Sequence, residues 1–147
     1  MARKQPLSQT ILVINDSPEF LQLMEDFLGD HGYTVRRDES GAGVVDLVNA
    51  HPPDLIILDL VLGEVDGWAI LVGLRADDHT RHIPVIVCSA AADRARQYRG
   101  QLYDAAVRVL EKPFDLEHLL ALVVELVGSP SVGQAQEDAA QRRSEPS

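Results

Sequence analysis

The chain has 147 residues, 46% of them hydrophobic and 24% charged, the size and composition of one ordinary globular domain, which excludes a collagen-like, disordered or membrane-embedded protein. A formal charge of −10 opposes attraction to nucleic acid or to an anionic membrane surface, so the expected partner is a protein. No apolar run of about 18 residues is present, residues 1–6 lack the apolar stretch of an export signal, and Cys88, the single cysteine, has no disulfide partner, so a cytoplasmic location is expected.

In chain order, residues 10–15 carry Ile11, Leu12, Val13 and Ile14 without a break, as expected of a strand covered on both faces. Ser17 and Pro18 follow as helix N-cap and first helical residue. Phe20, Met24, Phe27 and Leu28 then form one apolar stripe, and Gly32 supplies the stop. A short strand over 33–37 carries two arginines, which places it toward a sheet edge. Val44, Leu47 and Val48 mark a second helix, ended by Pro52-Pro53. Residues 54–59, Asp-Leu-Ile-Ile-Leu-Asp, read as the clearest central strand, and a turn through Gly63 to Gly67 leads to a helix beginning near Trp68. Residues 83–88 give a fourth strand with Ser89 at its end, and Cys88 is expected to be a small core residue within it. The stretch 90–103 is helix-compatible, and 107–110 is a short fifth strand before Lys112-Pro113. Asp115 caps the last helix, whose buried face is Leu116, Leu119, Leu120 and Val123 with Leu126 or Val127, and Gly128 closes it. Residues 1–9 form an arm, and 129–147 are too poor in apolar side chains to offset their ordering entropy, so a flexible polar tail is expected.

Strands alternating with helical patterns predict βαβ units, an α/β fold with a parallel sheet. Ligands of such sheets sit beyond the carboxyl ends of the strands. Here those ends bring Asn15 and Asp16, Asp59, Ser89 and Lys112. Two carboxylates about 5 Å apart repel by roughly 3 kcal/mol at an effective dielectric of 20, so a hard cation, Mg²⁺ above all, suits the space between them. With Lys112 it would offset the charge of an incoming phosphoryl group, Ser89 would donate a hydrogen bond to it, and Asp59 would be the nucleophile.

The segments Ile-Leu-Val-Ile-Asn15-Asp16, Pro53-Asp-Leu-Ile-Ile-Leu-Asp59, Asp66-Gly67, Ile83-Pro-Val-Ile, Ser89-Ala90 and Lys112-Pro113-Phe114 together resemble the receiver domain of two-component response regulators over roughly residues 10–127, within a domain expected to span 10–128. The resemblance implies a doubly wound, flavodoxin-like sheet of five parallel strands in the order 2-1-3-4-5 with five helices. It implies that Asp59 accepts phosphate from a histidine kinase or a histidine phosphotransfer protein. Mg²⁺ would be held by Asp16, Asp59 and the Val61 backbone carbonyl, with Asn15 contributing weakly or through water. Lys112 would pair with the phosphoryl group, Ser89 would move toward it, and the Lys112-Pro113 bond would be cis. Such a domain is a signalling phospho-acceptor and not an enzyme with an external substrate.

Three positions depart from the family pattern. Asn15 stands where a second acid is usual and removes one charge from the cation site. Val109 stands where many receivers carry an aromatic, so the output signal would pass through the backbone and the face of the fourth helix, fifth strand and fifth helix, where a downstream protein would dock. Gly63 stands where proline is common. A receiver-like binding module independent of phosphorylation is the main alternative. A haloacid-dehalogenase-type phosphohydrolase is disfavoured, since Asp59 is followed by Leu60-Val61 and not by a second aspartate two positions on. No phosphate-cradling Gly-x-x-x-x-Gly-Lys-Ser/Thr loop occurs, and the five histidines lack a zinc ligand set. The 19 residues after Gly128 are too few and too polar for an output domain, so a single-domain receiver is expected.

Overall fold

Successive side chains of a strand point to opposite faces, so an unbroken apolar run needs cover on both sides. A computed structural model, which describes residues 9–62, 65–89 and 106–129, supplies that cover. The elements in order are β1 (Thr10–Ile14), α1 (Pro18–Asp30), β2 (Thr34–Asp38), α2 (Val44–Ala50), β3 (Leu55–Asp59), β4 (Val61–Leu62), β5 (Val65–Asp66), α3 (Gly67–Ala76), β6 (Val85–Ser89), β7 (Val107–Glu111) and α4 (Leu116–Val127). Five strands form one sheet in the order β2-β1-β3-β6-β7, and each neighbouring pair is parallel. Counting only these strands, this is the expected 2-1-3-4-5. Four helices stand among the described residues, and the predicted helix over 90–103 lies outside them.

The two faces of the sheet divide the core. Leu12 and Ile14 of β1, Ile56 and Leu58 of β3, and Val85 and Val87 of β6 pack with Val44 and Val48 of α2 and with Ile70, Leu71 and Leu74 of α3. Ile11 and Val13, Leu55 and Ile57, and Ile86 and Cys88 turn the other way, onto Leu21, Met24 and Leu28 of α1 and Leu119 and Val123 of α4. Strand β3 is buried along its whole length. Truncating a side chain such as Leu28 or Leu71 there costs about 2–5 kcal/mol through lost transfer energy and the cavity left behind.

Local chemistry sets the ends of the helices. Ser17 Oγ accepts the Phe20 N–H at 3.2 Å, and Pro18 opens α1. At the far end Gly32 takes φ 95°, a left-handed conformation that glycine adopts without strain, and the Tyr33 N–H closes on the Leu28 carbonyl. Asp66 Oδ1 accepts the Trp68 N–H and Asp115 Oδ1 the His118 N–H, capping α3 and α4.

Several side chains sit differently from the sequence reading. In α1, Leu21 is fully buried while Phe20 and Phe27 are only partly so. In the two-turn α2, Val44 and Val48 point inward, four residues apart, and Leu47 is 38% exposed. The turn after Asp59 contains the antiparallel pair β4-β5, in which Val61 faces Asp66 and Leu62 faces Val65. Strand β2 is an edge, as its arginines suggested. Arg36 Nη2 donates to the His51 carbonyl and Arg37 pairs with Glu25, so polar side chains rim the open strand.

Candidate functional site

The order of the strands places β1 beside β3, with β2 on one side and β6 on the other. The crossover direction reverses there, so a crevice opens past the ends of β1 and β3. Asn15 follows β1 and Asp59 ends β3. Both are buried, at 3% and 4% exposure, although both are polar.

Buried polar groups need partners, and these two find them in each other and in Lys112. Asn15 Nδ2 donates to Asp59 Oδ2 at 3.1 Å, and Lys112 Nζ donates to the same oxygen at 2.7 Å. The Lys112 side chain is 32% exposed, so its ammonium meets the carboxylate at the boundary between protein and water. The Lys112-Pro113 bond that carries it past the end of β7 is cis, as the resemblance implied. On its other side Asn15 Oδ1 accepts the Ser17 N–H at 2.9 Å, which links the site to the start of α1.

These groups line an open cleft of about 510 Å³. Asp16 lies at its rim, exposed to solvent. One wall is apolar: Phe20 and Phe114 meet edge to face, with ring centroids 6.2 Å apart and planes at 86°, and Leu23 is 45% exposed beside them. The apolar stripe expected of α1 contains Phe20 and not Leu23, and assigns neither to the cleft. The available signal was that Phe20 and Leu23 are three residues apart on the helix that starts at the site.

Gly67 explains the Asp66-Gly67 pair. A Cβ on Gly67 would stand 2.6 Å from Leu60 Cα and would clash with the Asp59 carbonyl oxygen. The Gly67 N–H donates to the Leu60 carbonyl at 3.1 Å, so the start of α3 is held against the backbone that carries Asp59. Beneath the site Cys88 pairs across the sheet with Asp59. Burial pushes its thiol up to about 12, so it is a neutral core side chain at physiological pH.

Among the described residues no three of His, Cys, Asp and Glu come together around a metal position. Two carboxylates, Asp16 and Asp59, line the one cleft. That donor set fits Mg²⁺, which is commonly held by one or two carboxylates while keeping several waters, and does not fit a closed zinc site. Of Val61 and Ser89 the backbone is described, in β4 and as the last residue of β6, where Ser89 stands opposite Glu111. Val109 is partly buried against the α2/α3 core. No helix among the described residues is long and apolar enough to cross a membrane.

The family model for the response regulator receiver domain matches residues 11–124. The polar-differentiation response regulator DivK of Brucella ovis is 29% identical over 127 residues, a match that covers 83% of this chain and 98% of DivK. Among solved structures, the receiver domain of a Pseudomonas aeruginosa sensor histidine kinase, with a magnesium ion coordinated in its active site cleft, is 28% identical with a TM-score of 0.72, covering 82% of this chain and 98% of that one. The signal receiver domain of a Syntrophus aciditrophicus signal transduction histidine kinase is 28% identical with a TM-score of 0.71, covering 81% and 89%. Fold, strand-end residues and relatives agree: the chain belongs to the response-regulator receiver family, whose members accept phosphoryl groups in two-component signal transduction.

Proposed function

We propose that Asp59 is the phospho-acceptor of this receiver, taking its phosphoryl group from the phosphohistidine of a histidine kinase or a histidine phosphotransfer protein. The observation that carries this reading is a carboxylate that is 4% exposed, opens on a cleft and has Lys112 Nζ 2.7 Å from its Oδ2. A merely structural aspartate would not need an open approach. A carboxylate oxygen of Asp59 attacks phosphorus, the P–N bond to the donor imidazole breaks, and its electron pair stays with the imidazole. Lys112 holds the acceptor carboxylate in place before transfer and pairs with a phosphoryl oxygen after it. Ser89, at the end of the neighbouring strand, donates its hydroxyl to another phosphoryl oxygen. Asp16, Asp59 and the Val61 carbonyl would hold Mg²⁺, which would supply positive charge to offset that of the phosphoryl oxygens. The apolar wall of Phe20, Leu23 and Phe114 suits the protein surface that brings the phosphohistidine to the cleft.

The receiver unit spans 10–128, with an arm over 1–9 and a polar tail over 129–147. It signals by docking on a downstream protein through the surface expected of the fourth helix, fifth strand and fifth helix, of which β7 and α4 are described. The test is intact-mass spectrometry after incubation with acetyl phosphate and Mg²⁺. One added phosphoryl group, absent in Asp59→Asn, is expected. A wild-type protein that stays unmodified, or an adduct that survives Asp59→Asn, overturns the assignment and favours the phosphorylation-independent module.

A further inference from the structure

Asparagine at the end of β1 can serve a cation site in two opposite ways. Its carbonyl oxygen can face the cation, or its N–H₂ can face the acidic side chain beside it. The surroundings of Asn15 decide between them. Its Oδ1 lies 2.9 Å from the Ser17 backbone nitrogen, which can only donate, and its Nδ2 lies 3.1 Å from Asp59 Oδ2, a carboxylate oxygen that accepts. Exchanging the two ends of the amide would set a donor against a donor at Ser17 and an acceptor against an acceptor at Asp59. At 3% exposure Asn15 has little water to offset either mismatch. The amide is therefore held in one orientation from both ends, and the end that faces Asp59 is the donor.

We propose that Asn15 is a positioning residue for Asp59 which acts through its side-chain N–H₂ and stands outside the ligand set of the cation. This rests on the reading of Asp59 as acceptor and deepens it. Asn15 and Lys112 together hold Oδ2 from two directions and fix the carboxylate's rotamer before any cation or phosphodonor arrives. Asn15 Oδ1 has a second lone pair, so the Ser17 N–H alone does not bar a cation. What sets Asn15 outside the ligand set is that its Nδ2, which can only donate, is the end that faces Asp59, and Oδ1 could take that place only by turning the amide away from both partners. Among the described residues the cation consequently has Asp16 and Asp59 as its acidic side-chain ligands, and its affinity is set by two carboxylates where three would bind more tightly.

The test uses nuclear magnetic resonance on the full chain with its asparagine side-chain amides assigned. In the metal-free protein the Asn15 N–H₂ resonances are expected to move when Asp59 is changed to Asn, because their acceptor loses its charge. In saturating Mg²⁺ the Ser17 amide is expected to keep its protection from hydrogen exchange to within roughly threefold, because its acceptor stays in place. Asn15→Asp should tighten Mg²⁺ binding by about tenfold or more, since ligand charge count tunes affinity at such sites, and Asp16→Asn should weaken it by a similar factor. Asn15 resonances indifferent to Asp59→Asn, or a Ser17 amide that loses protection by about tenfold on Mg²⁺ saturation, overturn the inference. A wild-type protein that shows no response to Mg²⁺, with Asp16→Asn unchanged, sinks the cation part of the functional reading instead. In that case movement of the Asn15 resonances in Asp59→Asn still supports the positioning role, and their indifference removes it as well.

Discussion

At the end of the sheet where the strands begin, Gln9 Nε2 donates to the Val127 carbonyl at 2.6 Å, the Thr10 N–H to Asp54 Oδ2 at 2.7 Å and Tyr33 Oη to the Gly128 carbonyl at 3.0 Å. At the end where they finish, Asn15 and Lys112 both donate to one oxygen of Asp59, and a cleft of about 510 Å³ opens over them. Polar groups are paired at both ends, with Gln9 Oε1 a buried exception at the first, so pairing does not separate structure from function. What differs is the chemistry of the partners. Where the strands begin, the three donors tie strand β1, the start of β2 and the last turn of α4 into fixed positions. Where they finish, a negative charge is kept almost out of water by one cation and one amide, an arrangement that an arriving phosphoryl group would rearrange. The first end holds the sheet so that the second can change.

Gly67→Ala tests this contrast most severely. The new methyl must displace Leu60 and the Asp59 carbonyl, so unfolding in urea should show a loss of about 3 kcal/mol, the upper range for overpacking. Phosphoryl uptake from acetyl phosphate should fall with it, since the displaced backbone carries Asp59, the proposed acceptor. Uptake at the wild-type rate would mean that the β3 terminus tolerates movement. Lys112→Ala comes next, at about 2 kcal/mol. Removing one partner of a fully buried pair costs about 3–5 kcal/mol, and Lys112, a third open to water, leaves Asp59 more easily rehydrated. In the Asp59→Asn background the same substitution should cost nearly nothing. An equal cost in both backgrounds would show that the lysine stabilises through its stem and not through Asp59.

The strand ends were legible in the sequence because a parallel sheet announces itself: 11–14, 55–58 and 85–88 are apolar runs, 107–110 is a shorter one interrupted by Arg108, and the residues just past them are displayed side by side in the crevice. Asn15, Asp59 and Lys112 meet for that reason alone, and the cores of both faces follow from alternation along the same runs. The β4-β5 hairpin was not legible, since strands of two residues leave no periodicity to read. The helix marked by Val44, Leu47 and Val48 is present, but with apolar side chains at 44, 45, 47 and 48 over seven residues it has no single clear stripe, and only tertiary packing selects 44 and 48 as its buried positions. The orientation of the Asn15 amide depends on the Ser17 N–H, and the edge-to-face contact of Phe20 with Phe114 joins residues from α1 and from the loop after β7. The Asn15–Ser17 contact is local, an Asx-type turn, but the Asp59 carboxylate at the other end of the amide is 44 residues away and Phe114 is likewise remote from Phe20, so no local sequence pattern encodes either arrangement.

Tyr33→Phe should separate the two ends cleanly. It removes one hydrogen bond, worth about 1 kcal/mol, and leaves phosphoryl uptake unchanged. Burial raises the Tyr33 hydroxyl above its ordinary value of 10.0. The unfolded chain therefore ionises first, and the stability Tyr33 contributes is complete below that value and lost as pH rises through the folded one. Unfolding measured across this alkaline range should fall less steeply in Tyr33→Phe than in wild type, and parallel curves would show that the phenol does not titrate with folding.

The smallest effect belongs to Asp77, which closes α3 in the loop leading into β6. Its carboxylate accepts the His79 N–H at 2.8 Å and Asn49 Nδ2 at 2.9 Å. The backbone hydrogen bond first, and the one from Asn49 second, hold its carboxyl below its usual 3.8. In acid the unfolded chain takes up this proton before the folded one does. The contribution is thus present above 3.8 and lost as pH falls through the lower folded value. Asp77→Asn keeps the shape and removes the charge, so wild type and variant should differ slightly in urea midpoint near neutral pH and converge in acid. A difference that persists unchanged at the acid limit would trace the effect to shape and not to charge. Phosphoryl uptake should be the same in both proteins, because Asp77 works at the end of the sheet that only has to stay still.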